Sequence, residues 1–421
     1  MRKLIFAGIF VLLAISMAAA QITAIRAGTV IDPETGKVSV GQIILVEGQD
    51  IKAIGPDLKI PAGATVIDLA KFTVMPGMFD AHAHLCMNMQ HKRDAGRYYY
   101  TTLNDSNAMR AIQGVANARS MLEHGFTTVR DIGNEGNYAG TDLRRAVEQG
   151  LVPGPTIINA GRIIAPYGGQ FHMQPDKPDL AKPEYFYADT RDEIKKAIRE
   201  NIHFGATVIK LVIDDQQYIY SVEDIKFAVE EAHLGGVKLA AHAWTATGAL
   251  NAAKAGVDSI EHAVRISDEA LAIAKKNNVA IVPIPFTETD AMLGGNPGGN
   301  KKTNEEWFID PVRRAHKAGV TLVWGPDVIS STKEYPRGRQ SIDTVDEWMQ
   351  TGIPSLVILQ ALTTNAAKLL GVEKTRGWLK EGMRADIIAV KDNPIEKIDT
   401  VKNVVFVMKN GKVFKQDGAI R

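Results

Sequence analysis

Eight short apolar runs alternate with amphipathic helical text, and two turn-punctuated flanks of alternating strands bracket them. That pattern predicts an α/β protein: a (β/α)8 TIM barrel with a small β-sandwich domain formed by both termini. The length agrees, because roughly 250 residues suffice for such a barrel and the chain has 421. The expected division is a signal peptide over 1–20, a composite β-sandwich over 21–75 and 380–421, and a barrel over 76–379.

The first twenty residues do not read as part of the fold. Arg2 and Lys3 precede an apolar run from Leu4 to Met17, and Ala18-Ala19-Ala20 offers small residues for cleavage before Gln21. This is the grammar of a secretory signal peptide, so export to a periplasm or to the outside is expected. A membrane anchor is the alternative, but the run is short of the roughly 20 apolar residues a span needs. The mature chain is therefore expected to be free of the membrane. No cysteine lies near the cleavage point to carry a lipid. Cys86, the single cysteine, can form no internal disulfide, which leaves stability to the core.

In the first flank, Thr29-Val30-Ile31, Gly41–Val46 and Ile51–Ile54 read as antiparallel strands, with Glu47-Gly48-Gln49-Asp50 as a turn. The same texture returns in Asp386–Val390 and Val404–Met408, followed by a Lys409-Asn410-Gly411 hairpin turn. Between the flanks the strand candidates are Val74–His84, Thr127–Asp131, Thr156–Arg162, Val208–Val212, Lys238–His242, Ser259–His262, Val279–Pro283 and Thr321–Gly325. Helical text such as Arg191–His203, Val222–His233 and Ala246–Ala255 separates them. Lys plus Arg number 49 against 48 Asp plus Glu, with no block of like charge. A nucleic-acid reader would carry a basic stripe, so that class is disfavoured.

Unusual polar residues fall at the strand ends. Asp80-Ala81-His82-Ala83-His84 closes the first strand, and a period of two points His82 and His84 to the same side, where they can grip one metal. A lone His-x-His is weak evidence. Lys210, however, interrupts the apolar run Val208-Ile209-Lys210-Leu211-Val212, where an amine is costly unless paired or altered. His242 and His262 end the fifth and sixth strands, and Asp327 follows the eighth. All six lie at C-terminal strand ends, the face on which barrel enzymes place their chemistry. The bland reading of Lys210 is a structural lysine paired with Asp131 or another acid.

With Met75-Pro76-Gly77-Met78-Phe79-Asp80 and the five ligand strands, this pattern resembles the amidohydrolase superfamily over nearly the whole mature chain. The resemblance implies two divalent metals, zinc the expected ion. His82 and His84 would hold the buried metal and His242 and His262 the outer one, with Lys210 N-carboxylated between them. Asp327 would ligate the inner metal and shuttle the proton of a metal-bridging hydroxide, as its place beside such a nucleophile suits. Many relatives have Gly-Thr-Asp or Gly-Ser-Asp where this chain has Gly325-Pro326-Asp327, and the acid is kept. Deaminases of this fold commonly use one metal, lack the lysine and place a Glu after the fifth-strand histidine; here Ala243-Trp244-Thr245-Ala246-Thr247 follows His242.

Gly125–Asp131, Gly205–Lys210 and Ala255–His262 are most similar to the branch of Xaa-Pro dipeptidases and imidazolonepropionase-like proteins. The resemblance implies hydrolysis of a peptide-like amide in a dipeptide or N-acyl amino acid with a free carboxylate. Tyr220 falls where such relatives bind substrate, although a simple aromatic at a helix start is an equal reading. His172 is the other substrate-binding candidate; relatives often have a histidine directly after the two glycines, where this chain has Gln170. Three long loops at the rim, 163–190, 288–310 and 329–340, are expected to shape specificity, the last through Arg337 and Arg339. Arg130 reads as a structural partner of a strand acid. His124, His203, His233 and His316 sit at helix ends, where a cation suits the dipole, and His91 lies in a polar loop. Other hydrolases of the fold, acting on cyclic amides, lactones or phosphotriesters, stay open, as does a non-catalytic binding protein. Relatives often assemble, so a homo-oligomer is compatible with the reading.

Overall fold

The computed structural model describes residues 21–171, 174–215, 217–286, 301–417 and 419–420, so the expected signal peptide lies outside the described residues. Four strands form the first flank: β1 (Ile22–Asp32), β2 (Lys37–Glu47), β3 (Asp50–Gly55) and β4 (Thr65–Pro76). The middle supplies β5 (Met78–Ala83), β6 (Phe126–Asp131), β7 (Thr156–Asn159), β8 (Ile163–Ala165) and β9 (Tyr185–Tyr187). It continues with β10 (Val208–Asp214), β11 (Lys238–Ala243), β12 (Ser259–His262) and β13 (Ala280–Pro283). The second flank adds β14 (Ile387–Val390), β15 (Phe406–Lys409), β16 (Lys412–Gln416) and β17 (Ala419–Ile420).

The two flanks build one separate sheet, of order β17-β16-β15-β14-β4-β1-β2-β3. The sequence anticipates one β-domain built from both termini, and this separate sheet joins them. The junction is β4, which pairs in parallel with β1 along one edge and antiparallel with β14 along the other. The sheet coils until β3 meets the approach to β14, where Ile51 N donates to Met383 O and Ala385 N to Gln49 O. Its inner face closes on Ile25, Ile44, Ile67, Leu69, Ile387, Phe406 and Met408.

The barrel strands run parallel in two ladders, β5-β6-β7 and β13-β12-β11-β10-β8-β9. Three differences from the sequence expectation have local causes. Val74–His84 is two strands, broken at Gly77, where pairing passes from β14 to β6, and a Cβ at Gly77 would sit 2.1 Å from Thr127 Oγ1. Thr156–Arg162 stops pairing at Asn159, and a new strand begins at Ile163. Thr321–Gly325 makes only an isolated bridge, Ile281 to Leu322. Pro326 offers no N–H and Asp327 has φ +57°, so the extended run ends there. Backbone bonds still carry this segment between β13 and β5: Val323 N donates to Ile281 O and Ala81 N to Trp324 O, both at 2.9 Å. Across the other gap, Thr207 N donates to Asn159 O at 2.8 Å.

Helices over Arg191–His203, Val222–Leu234 and Ala246–Ala255 follow the helical text closely. Thr190, Ser221 and Thr245 cap them by accepting a backbone N–H, each cap contributing about 1 kcal/mol. Trp324 stacks on Trp348 at 5.5 Å, both fully buried, in the central core that seats the eighth segment. Among the described residues no helix is long and apolar enough to cross a membrane.

Candidate metal centre

The strand pattern brings the six singled-out polar side chains to one cavity of about 350 Å³. His82 on β5 and His84, just past its end, point to the same side, both toward Asp327, as the period of two requires. Each uses its Nδ1 on an outer partner: His82 toward Glu261 Oε2 at 2.8 Å, and His84 toward the Gly133 carbonyl at 2.7 Å. Both partners are acceptors at neutral pH, which assigns the protons to Nδ1 and leaves Nε2 bare. The two Nε2 atoms stand 3.6 and 3.1 Å from Asp327 Oδ1. Asp327 is held there by its own N–H, which donates to His82 O at 3.1 Å. Gly325 permits this approach, since a Cβ would meet His82 Cβ at 2.7 Å.

His242 and His262 end β11 and β12 with ring centroids 4.3 Å apart. His262 adopts φ +66°, and a left-handed backbone at a residue with a side chain marks stored strain. Trp244 stacks on its ring at 5.3 Å. His262 Nδ1 and His242 Nε2 are buried without a hydrogen-bond partner. Lys210, only 2% exposed on β10, has no hydrogen-bonding or ion-pairing partner among the described residues. Asp131 accepts from Leu85 N and makes no ion pair with Lys210 among the described residues.

The electrostatics suit cations. Burial, helped by the Lys210 charge, pulls His82 down to about 4, and burial with the neighbouring His242 holds His262 well below its ordinary value. Burial also lowers Lys210 to about 8, against the pull of Glu261 and Asp327. Burial acts to raise Asp327 and Glu261, but neighbouring cationic groups outweigh it and keep both at about 2. Neutral imidazoles and an ionised carboxylate are what divalent metals take as ligands, and the Lys210 amine gives up its proton more readily than an ordinary lysine. Each orphaned buried polar atom costs about 1–3 kcal/mol unless something satisfies it. The donor atoms of His82, His84 and Asp327 all lie within 4.8 Å of one another, a spacing one ion can bridge.

A model of the amidohydrolase family matches residues 73–414. The chain belongs to this family. Ochratoxinase of Aspergillus niger is 26% identical over 439 residues, covering 95% of this chain and 88% of that protein. A crystal structure of a Xaa-Pro dipeptidase with methionine bound in its active site is 29% identical, with a TM-score of 0.83 over 94% of this chain and all of that one. Imidazolonepropionase of Treponema denticola is 24% identical over 90% of this chain and 92% of that protein.

Around these six side chains this amidohydrolase has a buried support that single-residue motifs do not announce. Glu261 accepts from Arg130 Nη2 at 2.7 Å and from Ser259 Oγ, and Arg130 also donates to Ser259 Oγ and Ala81 O. Arg130 is thus the partner of a strand acid, as its sequence context suggests. Arg337 differs from expectation: it is 1% exposed and donates to the carbonyls of His84, Met87, Val328 and Ser330. It fixes the loops behind His84 rather than facing a substrate. Arg339 pairs with Asp343 at 2.7 Å and does not line the cavity.

Tyr220 does not join the site. Its hydroxyl donates to Ala188 O and its ring is buried beneath the rim, outside the cavity lining. His172 and most of the 288–310 loop lie outside the described residues. The lining adds Arg97, Tyr98, Tyr99, Gln170 and Asp215, of which sequence reading weighed only Gln170. Burial acts to raise the Asp215 carboxyl, but His242 outweighs it and the value falls below the ordinary range. The signal available was the charge of Asp215 immediately after a ligand strand, and the Arg97-Tyr98-Tyr99-Tyr100 run after the first barrel strand.

Proposed function

We propose that this amidohydrolase cleaves a peptide-like C–N amide, in a dipeptide or an N-acyl amino acid, Xaa-Pro dipeptides among them. The observation that carries the reading is the convergence of His82, His84, Lys210, His242, His262 and Asp327 on one cavity, with Lys210 buried and unpartnered. His82, His84 and Asp327 would hold an inner divalent metal and His242 and His262 an outer one, zinc being the candidate ion. Such a pair supplies a water that ionises near neutral pH and polarises the scissile carbonyl.

The chain's own residues perform the rest. The Lys210 amine, brought toward its neutral form by burial, adds to carbon dioxide through Nζ and releases a proton. The carboxylated side chain then carries two oxygens and one negative charge between the two histidine pairs. Asp327 accepts the proton of the attacking water on its carboxylate and hands it to the leaving nitrogen. Glu261 and Gly133 O orient the two β5 imidazoles throughout. Arg97 lines the cavity without an ion-pairing partner among the described residues and is the candidate contact for a substrate carboxylate. Export through residues 1–20 belongs to the same proposal, with Gln21 as the first residue of the mature chain; N-terminal sequencing of exported protein checks it.

A panel of Xaa-Pro dipeptides, N-acyl amino acids, cyclic amides, lactones and phosphotriesters, with Asp327→Asn as control, tests the reading. Amide turnover that disappears in the variant is expected. Turnover confined to lactones or phosphotriesters overturns it.

A further inference from the structure

The cavity holds a carboxylate that the six-residue centre does not use. Asp215 directly follows β10, and its side chain is 23% exposed toward the cavity it lines. Its Oδ2 accepts from Gln170 Nε2 at 2.5 Å, and Gln170 Oε1 in turn accepts from the buried Tyr185 hydroxyl at 2.7 Å. Turning the Gln170 amide over would set its oxygen against the Asp215 carboxylate, so the amide keeps its N–H on Asp215. Oδ2 also lies 3.0 Å from His242 Nε2, an ion-pair distance, but out of line for a hydrogen bond. Oδ1 has no partner among the described residues. Asp214 beside it is committed elsewhere, accepting from the backbone N–H groups of Trp244 and Thr245 at 2.7 Å each.

A fixed, partly desolvated anion beside the reacting centre discriminates between substrates. A protonated amine placed against Oδ1 gains a charge-assisted hydrogen bond, whereas an acyl carbonyl or a carboxylate there meets like charge. Arg97, on the lining of the same cavity, offers the opposite charge. We propose that Asp215 is a specificity-determining residue that receives the free α-amino group of the substrate, so that the site takes unblocked, zwitterionic dipeptides in preference to N-acylated ones. The inference rests on the amide-hydrolase reading above and narrows it to one of its two substrate classes.

Ala-Pro and N-acetyl-Ala-Pro differ only at the amine and are the probes. With metal-loaded wild-type protein, kcat/KM is expected to favour Ala-Pro at least tenfold, equivalent to about 1.4 kcal/mol. Asp215→Asn should raise KM for Ala-Pro at least tenfold with kcat within threefold, and should leave N-acetyl-Ala-Pro unchanged or improved. Metal content, measured by elemental analysis, should equal that of the wild type, and Asp215→Glu should restore part of the preference. Equal cleavage of the two probes by the wild type overturns the role of Asp215 and leaves the amide reading standing. Loss of a metal equivalent in Asp215→Asn also overturns it, because Asp215 would then be a ligand. Cleavage of neither probe by metal-loaded wild type overturns the role of Asp215, and the wider panel above then decides the amide reading by itself.

Discussion

Glu261 Oε2 lies 2.8 Å from His82 Nδ1 while Glu261 Oε1 accepts from Arg130 Nη2 at 2.7 Å, so one buried carboxylate couples a cavity-lining imidazole to a buried guanidinium. All three side chains are at most 2% exposed. Glu261 thereby sets the tautomer of His82 and neutralises Arg130 with the same charge. Glu261→Gln keeps the shape and loses the charge. Metal affinity should fall about 10–100-fold, and stability should drop by roughly 3–5 kcal/mol because Arg130 is left as an uncompensated buried cation. Metal titration and denaturant unfolding of the variant read the two effects separately.

Arg337 joins four carbonyls from two different loops, those of His84 and Met87 on one side and of Val328 and Ser330 on the other. Arg337→Met leaves those acceptors without a donor, at about 1–3 kcal/mol for each that water cannot reach. The melting temperature should fall by several degrees, and kcat should fall with it through misplacement of His84 and Asp327. A variant with wild-type stability and activity would show that these carbonyls find other partners.

Acid should weaken the metal-free protein through His82. Its ordinary value of 6.5 applies to the unfolded chain, and burial lowers the folded value to about 4. Below pH 6.5 the unfolded state therefore binds a proton that the folded state refuses. The stability this neutral imidazole allows is intact above pH 6.5 and is lost as the pH falls toward 4, by an order of about 3 kcal/mol. Asp327 and Glu261, both lowered to about 2, add their own loss only below their unfolded values near 4. Unfolding free energies of chelated protein between pH 7 and 4 check the slope; a flat profile contradicts it.

Asp327→Asn should retain the fold, since the backbone bond from Asp327 N to His82 O persists. The amide side chain cannot relay a proton, and kcat should drop by about a hundred- to ten-thousandfold. KM should change far less. A drop in KM-dependent rate alone would assign Asp327 to binding instead.

Much of the candidate site could be read from the chain because each of its six side chains sits where a regular pattern is broken. His82 and His84 share one face by the period of a strand, and Lys210 stands out as a charge inside a fully buried run. The barrel strands were legible for the same reason, except where Gly77 divides the first run and where Pro326 and the left-handed Asp327 end the eighth. The union of the two flanks in one β-domain was legible from their shared texture, whereas the place of β4 between β1 and β14 is encoded by no local pattern. Arg337 reads as a surface loop residue, and its burial follows from carbonyls up to 253 positions away. Asp215 and Arg97 carry no periodic signature at all, because loops place them. Tyr220 shows the converse error: a position that suits a substrate contact is filled by a ring whose hydroxyl closes on Ala188 O.

The central claim is that the six converging side chains form a two-metal centre on which amide hydrolysis depends. Elemental analysis of the purified protein, before and after chelation and alongside amide turnover, tests it most directly. Close to two equivalents of divalent metal per chain, with turnover lost on chelation and regained on adding zinc, is the predicted result. Fewer than one equivalent, with turnover untouched by the chelator, would contradict it.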